Sequence, residues 1–155
     1  MSIRRISGKD GRLFIGGFIL NYEKFSLKID DKRAVAYTNG VPNGYVAGEC
    51  SASGSITLDS QNFTYLFNSV GAKADSYQDI EPQDIKYFAQ AGGLTKDIDA
   101  YACLLSVEDL IDADSKGGEK TSHTIRFDVT APNLIAIDGK PYLSQKDVAA
   151  ILTGL

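Results

Sequence analysis

The 155-residue sequence contains no tryptophan, one histidine and two cysteines, and these shortages exclude several classes of protein. Two cysteines, Cys50 and Cys103, are too few for a disulfide framework or a four-cysteine zinc site. Both lie in strand-like apolar segments and are predicted to be buried as small hydrophobic side chains. The sequence also lacks H-E-x-x-H, C-x-x-C and phosphate-loop motifs, so no cofactor is predicted.

Long apolar runs are also missing. No segment approaches the roughly 20 apolar residues of a membrane-spanning helix, so no membrane partner is expected. The run Leu13 to Leu20, LFIGGFIL, follows several basic residues and superficially resembles a signal peptide. It contains two glycines, and Asn21-Tyr22-Glu23 stands where a cleavage site would have small residues. We therefore interpret Arg12 to Leu20 as a strand and expect the protein to be made and kept in the cytosol, or to assemble there.

The charge of the chain is negative, with 20 acidic and 16 basic side chains. Tight nucleic-acid binders present a cationic face to phosphate, so a protein of this class is not expected. Hydrophobic residues make up 43% of the chain, which is enough for a packed core. The length predicts one domain over residues 1–155.

The hydrophobic spacing changes within residues 45–72, around which the rest of the chain is organised. Alternation first predicts a long strand with one apolar and one polar face. Its apolar face comprises Val46, Cys50, Ala52, Ile56 and Leu58, and its polar face Ser51, Ser53, Ser55 and Thr57. The spacing of Phe63, Leu66, Phe67 and Val70 then predicts an amphipathic helix, capped by Asp59 or Ser60 and ending at Gly71.

Most of the remaining chain reads as strands joined by short turns. Alternation predicts strands at Glu23 to Asp30, Asp84 to Ala91, Ile98 to Val107 and Thr121 to Thr130. In the last of these, His123, Ile125, Phe127 and Val129 oppose Ser122, Thr124, Arg126 and Asp128. Residues 108–120 read as an acidic, glycine-rich loop. A short hairpin near Asp138-Gly139 and a helix after Ser144 end the chain. The pattern predicts an antiparallel β-sandwich or barrel with one flanking α-helix and a short C-terminal helix.

Two segments are predicted to project from this fold. Residues 1–11 form a basic arm. Residues 32–44 contain Asn39-Gly40, Pro42 and Asn43-Gly44, which favour tight turns and exclude a central strand. Loops of this length within compact domains are usually functional or contact a neighbour.

Candidate catalytic chemistry is sparse. His123 could act as a general base with Glu119 or Asp128, but its place on the apolar side of a strand favours an interior or interface histidine. A calcium loop formed by Asp109, Asp112, Asp114 and Glu119 would lack the order of EF-hand ligands. If the two polar rows share a sheet, its uncovered face would carry small hydroxyls and few charges. An ordinary solvated face and a smooth hydrated surface both fit that pattern, whereas a ligand cleft would need apolar or aromatic lining.

Four segments resemble a family of small proteins of temperate tailed phages and prophages that is placed among the tail tube proteins. They are Arg5 to Asp10, Gly40 to Val46 (GVPNGYV), Ser115 to His123 (SKGGEKTSH) and Ile137 to Ser144. The resemblance implies a structural virion protein without enzymatic activity or cofactor, assembled in the host cytoplasm. Six copies would form a ring, and rings would stack into a tube through which DNA passes without specific binding. Tail sheath and baseplate or terminator proteins would be further partners.

The resemblance also assigns expected surfaces. The lumen-facing residues would be Ser51, Ser53, Ser55, Thr57, Ser122, Thr124, Arg126 and Asp128. The inter-subunit residues would be Arg4, Arg5, Lys9, Tyr37, Asn39, Val41, Pro42, Tyr45, Asp109 and Asp112, with the basic arm meeting the acidic loop of another subunit. The alternative is a binding, baseplate or adaptor module of the same fold. It predicts an exposed aromatic cluster drawn from Tyr37, Tyr45, Tyr77, Tyr87, Tyr101 and Tyr142.

Overall fold

The computed structural model describes residues 4–153, which form a mainly antiparallel β-structure with two α-helices. The strands are β1 (Gly11–Ile15), β2 (Phe18–Leu20), β3 (Lys24–Asp31), β4 (Ala34–Thr38), β5 (Val41–Val46), β6 (Cys50–Asp59), β7 (Gln83–Ala91), β8 (Leu94–Asp112), β9 (Ser122–Val129), β10 (Ile135–Ile137) and β11 (Lys140–Pro141). The helices are α1 (Ser60–Val70) and α2 (Gln145–Thr153). The predicted fold class is confirmed. Within residues 4–153, neither helix is long and apolar enough to cross a membrane.

The main sheet folds back on itself to enclose the core. Its strand order is β2-β1-β7-β8-β9-β6-β3, and every pairing is antiparallel. The ring of Phe25 on β3 stacks on Tyr87 of β7 at 5.5 Å and on Phe127 of β9 at 5.9 Å between centroids. Strands that are distant in the sheet order therefore meet across one core, as in a sandwich.

Strand β8 pairs with different neighbours before and after Ala102. The alternation of its buried and exposed side chains shifts by one residue at that point. Residues 94–103 pair with β7, and residues 103–112 pair with β9. Ala102 has a positive φ of 50°, and the burial alternation shifts from Ala100 to Cys103 at this point. Alternation in the sequence predicts one apolar face with Ile98, Ala100, Ala102 and Leu104. That prediction is wrong beyond the bend, where Leu104 points outward and is 41% exposed.

The predicted first strand, Arg12 to Leu20, is a hairpin of two strands. Gly16 and Gly17 form its turn with φ of 59° and 88°, which residues with a Cβ rarely adopt. Leu13, Ile15 and Leu20 are buried on either side of that turn. The apolar run is thus core structure interrupted by two glycines.

Three predicted bounds also need correction. Strand β6 begins at Cys50, because Tyr45 and Val46 belong to the projecting hairpin β4–β5, which spans 34–46 rather than 32–44. Strand β8 extends to Asp112 through residues predicted as a loop.

The prediction that both cysteines are buried holds for only one of them. Cys103 is fully buried, and burial raises the pKa of its thiol to about 12, but Cys50 is only partly buried.

Helix α1 begins and ends where its sequence predicts. The Asp59 carboxylate accepts a hydrogen bond from the backbone N–H of Asn62 at 2.9 Å, which makes Asp59 the N-cap. Gly71 follows the last helical turn. Leu66 and Phe67 are buried in the predicted apolar stripe, so the helix covers one flank of the sandwich.

Candidate functional site

The outward side of β3, β6, β9 and the second half of β8 forms one continuous surface, which we call the polar face. The strand register aligns Ser26, Ser55, Arg126 and Ser106 across the four strands. The next row contains Lys28, Ser53, Asp128 and Leu104. The two predicted polar rows therefore lie side by side in one sheet.

The opposite side of these four strands is core, which fixes the phase of the polar face. Ile56, Ile125 and Phe127 have no exposed surface. Gly54 lies between β3 and β9, where an added Cβ would stand 2.1 Å from the Ser26 carbonyl oxygen and 2.5 Å from the Phe127 ring. A one-residue slip would expose all of these core side chains, so the register is strongly specified.

The polar face carries more charge than the sequence predicted, because β3 and β8 contribute rows that were not assigned to it. Its cations are Lys24, Lys28 and Arg126, and its carboxylates include Asp30, Glu108 and Asp128. Arg126 Nη2 lies 3.4 Å from Asp128 Oδ1, as expected for neighbours two residues apart on one strand face. The face is thus hydroxyl-rich, and its cations stand among at least as many carboxylates.

Both edges of this four-stranded sheet are open. Within residues 4–153, β3 pairs only with β6. Residues 104–112 of β8 pair with β9 on one side and with no described strand on the other. Open edges present unpaired backbone donors and acceptors, which invite pairing with another chain.

The hairpin β4–β5 extends away from the main sheet and forms a two-stranded sheet of its own. Its turn is Asn39-Gly40, with φ of 53° and 77°. Five large apolar side chains on it are at least half exposed: Val35, Tyr37, Val41, Tyr45 and Val46. An isolated hairpin is marginally stable in water, and an exposed apolar patch marks an interaction surface.

A cluster around Asp31 fixes the base of this hairpin. The Asp31 carboxylate accepts hydrogen bonds from the Tyr142 hydroxyl at 2.6 Å, the Arg33 Nε at 2.9 Å and the Arg33 backbone N–H at 3.1 Å. The Tyr142 and Arg33 hydrogen bonds hold the pKa of Asp31 well below its usual range. The hydrogen bond between Tyr142 and Asp31 also raises the pKa of the Tyr142 hydroxyl. The C-terminal segment is thereby tied to the hairpin, a contact that no sequence spacing indicated.

The other end of this four-stranded sheet contains the end of β8 and, on the core side, the single histidine. His123 Nδ1 bonds the Leu110 carbonyl oxygen, and His123 Nε2 lies 2.8 Å from Ser60 Oγ. Because a carbonyl only accepts, Nδ1 carries the proton, and Nε2 shares a hydrogen bond with the Ser60 hydroxyl. The imidazole also stacks on Phe63 with centroids 4.5 Å apart. His123 is therefore the interior histidine that the sequence favoured.

The structure does not assemble the catalytic alternative. Asp128 lies on the polar face and pairs with Arg126, whereas His123 lies on the core side of the same strand. Glu119 lies in the exposed loop between β8 and β9.

The predicted inter-subunit residues are exposed but lie in different places. Arg4 pairs with Asp10 of its own chain, and Arg5 and Lys9 are exposed nearby. Asp109 and Asp112 are exposed in β8 rather than in a loop. The remaining residues of that set lie on the hairpin: Tyr37, Asn39, Val41, Pro42 and Tyr45.

The six tyrosines of the binding-module alternative do not form one cluster. Tyr87 lies against Tyr22 and Phe25, and Tyr142 bonds Asp31. Tyr77 lies edge-on to Phe67, with ring centroids 5.0 Å apart. Tyr37 and Tyr45 are well exposed on the hairpin.

Two solved structures with this fold come from an extracellular contractile injection system. The chain resembles the structure described as the PVC sheath/tube terminator in the extended state, with a TM-score of 0.61 and 13% identity over 87% of this chain and 97% of that one. The PVC sheath-tube complex in the extended state gives a TM-score of 0.61 and 12% identity over 86% and 91%. At these identities the likeness shows the fold alone.

A phage protein is similar in sequence along almost its whole length. The protein of Haemophilus phage HP1 (strain HP1c1) named "Putative tail tube protein" is 34% identical over 150 residues, which cover 97% of this chain and 99% of that protein. A family described as Bacteriophage HP1, Orf24, matches residues 9–143. The chain therefore belongs to the Bacteriophage HP1 Orf24 family.

Proposed function

We propose that the chain is the subunit of a phage tail tube, that six copies close into a ring, and that rings stack around a bore through which DNA passes. The observation that carries this proposal is the four-stranded sheet with a hydrophilic face and two open edges. The name of the 34% identical phage protein supports the same role.

The strand directions support this ring closure. β3, β6, β9 and the second half of β8 alternate in direction. When β8 of one copy lies beside β3 of the next, the new pair is also antiparallel, so the pattern continues without a break. A closed ring satisfies both edges of every copy and removes the hazard of open-ended aggregation.

The polar face suits a surface along which DNA slides. Serine and threonine offer small hydrated side chains, and the cations of the face stand among carboxylates. A net charge of −4 per chain repels phosphate at longer range. The polar face would therefore line the bore, and the apolar core and α1 would lie outside it.

The exposed hairpin and the basic arm are the surfaces proposed for contacts between rings. In the assembled tail the partners would be further copies, sheath proteins, and baseplate or terminator proteins. The whole chain would act as one domain in the virion, after assembly in the host cytoplasm.

Electron microscopy and mass photometry of the purified protein test this proposal. We expect hollow six-fold rings and tubes in the wild type. Deleting residues 35–44 removes most of the hairpin but neither edge of the four-stranded sheet, so that variant should form rings that do not stack. A wild-type protein that stays monomeric at every concentration would contradict the proposal, and normal stacking of the deletion variant would contradict the role of the hairpin.

A further inference from the structure

The hairpin and the end of β8 lie at opposite ends of the polar face. The hairpin connects β3 and β6 where Asp31 pairs with Cys50. At the other end of β6, Asp59 pairs with Ser122, which in turn pairs with Asp112 at the end of β8. The ten residues of β6 separate these ends by about 30 Å.

Both ends of the polar face expose large apolar side chains. The hairpin exposes five large apolar side chains, with Tyr45 73% and Tyr37 66% exposed. At the far end, Leu110 and Ile111 are 65% and 63% exposed. Both side chains lie where the register between β8 and β9 shifts, between Asp109 and Asp112, and each is an exposed aliphatic side chain at the end of the strand.

The two segments are also opposite in charge. Residues 32–46 contain only two charged side chains, Lys32 and Arg33, and both are cationic. Arg33 already pairs with Asp31, so Lys32 is the cation offered to a partner. Residues 108–114 contain four charged side chains, and all are acidic: Glu108, Asp109, Asp112 and Asp114. Opposite charges of this kind favour one docking register over others.

The hairpin and the end of β8 are each held in place by contacts within their own chain, before two copies meet. The Asp31 cluster fixes the hairpin base. The bond between His123 Nδ1 and the Leu110 carbonyl oxygen holds the end of β8. Such preorganisation lowers the entropy cost of association.

We propose that the hairpin of one copy docks onto the end of β8 of a second copy in the next ring, with its apolar side chains on Leu110 and Ile111 and with Lys32 facing the acidic residues. This inference rests on the proposed tube, because head-to-tail stacking brings opposite ends of identical chains together. It assigns the acidic segment to the hairpin of the neighbour rather than to its basic arm.

Cysteine cross-linking within tubes tests the contact. In a Cys50→Ser background, Val41→Cys combined with Ile111→Cys should give a ladder of covalent oligomers with a short bismaleimide. Val41→Cys combined with Ile19→Cys is the matched control, because Ile19 is 58% exposed on β2 at the opposite edge of the sheet. Tubes without a ladder, or an equal ladder in the control, would overturn the inference and leave the proposed function intact. A background protein that forms no tubes would overturn both.

Charge reversal tests the register independently. Lys32→Glu should shorten the tubes several-fold at low ionic strength, and adding Asp112→Lys should restore their length. The corresponding variants with Arg5→Glu test the basic arm instead. Restoration by Asp112→Lys only in the Arg5→Glu background would overturn the assignment to the hairpin.

Discussion

At the scale of single residues, His123 acts as a structural hub rather than as a base. It joins the start of α1 through Ser60, the end of β8 through Leu110 and the apolar stripe through Phe63. This side chain of β9 thus connects β8 and α1, and both ring nitrogens have a hydrogen-bond partner. A buried polar group with all its partners stabilises the fold, and removing it leaves those partners unsatisfied.

His123→Ala should therefore lower the free energy of unfolding by about 2–4 kcal/mol, because it removes two hydrogen bonds and leaves a cavity beside Phe63. Urea denaturation measures the change. Arg126→Ala on the same strand is the matched control, since its exposed ion pair contributes less than about 1 kcal/mol. Equal effects of the two substitutions would refute the structural role of His123. A folded His123→Ala variant that assembles and works normally in the phage would argue against a catalytic role.

Four aspartates predict how stability depends on pH. Hydrogen bonds from backbone N–H groups lower the pKa of Asp10, Asp59 and Asp138, and the Tyr142 hydroxyl has the largest effect on Asp31. Because the folded-state pKa values lie below the unfolded ones, the native state binds fewer protons. This stability is fully present above the unfolded value of about 3.9 and is lost as pH falls through the folded values.

Thermal unfolding of the wild type should therefore shift to lower temperature as the pH falls from 5 towards 2. Asp59→Asn is the informative comparison, because asparagine can still cap α1 but does not titrate. This variant should lose less stability over the same range. A wild-type melting temperature that is independent of pH would contradict the argument.

At the scale of elements, the Asp31 cluster couples the hairpin to the C-terminal segment. Tyr142→Phe removes only the hydroxyl that donates to Asp31 at 2.6 Å, so the hairpin base loses one of its two anchoring side chains. Amide hydrogen exchange within residues 35–46 should accelerate several-fold, while the core strands keep their protection. Tyr65→Phe on the exposed side of α1 is the control. Unchanged exchange in the Tyr142→Phe variant would exclude the coupling.

The elements that the sequence predicted well are those in which one face is buried and the other solvated. β3, β6, β9 and α1 follow their patterns because Phe25, Ile56, Ile125 and Leu66 all pack inward at the expected spacing. The predicted polar rows meet in one sheet for the same reason.

The elements that were missed depend on local backbone conformation or on distant contacts. Two glycines within an apolar run make a turn between β1 and β2, although the hydropathy of the run is continuous. Ala102 adopts a positive φ without any glycine to signal it, and this shifts the phase of β8. The end of β8 shows no alternation because Leu110 and Ile111 are both exposed. Tyr142 reaches Asp31 across 111 positions of sequence, which no local pattern can indicate.

At the scale of the whole molecule, the chain presents surfaces that its own core does not cover. An open-edged sheet, a bare apolar hairpin and an exposed pair of aliphatic residues would each favour aggregation in a monomer. In the proposed tube, neighbouring copies would cover these surfaces, because the open edges lie laterally and the apolar patches lie at the two ends.

Changing the charge of the polar face is the most direct test of the proposed DNA-conducting bore. Ser53→Lys with Thr124→Lys would add two cations to the face in every copy, and phosphate would then be held rather than repelled. Folding and tube assembly should persist by circular dichroism and electron microscopy, while phage carrying the variant should eject DNA more slowly. Ser53→Gln with Thr124→Gln controls for side-chain bulk. If the neutral pair slows ejection equally, charge is not the cause, and if the lysine pair fails to fold, these positions are not solvated.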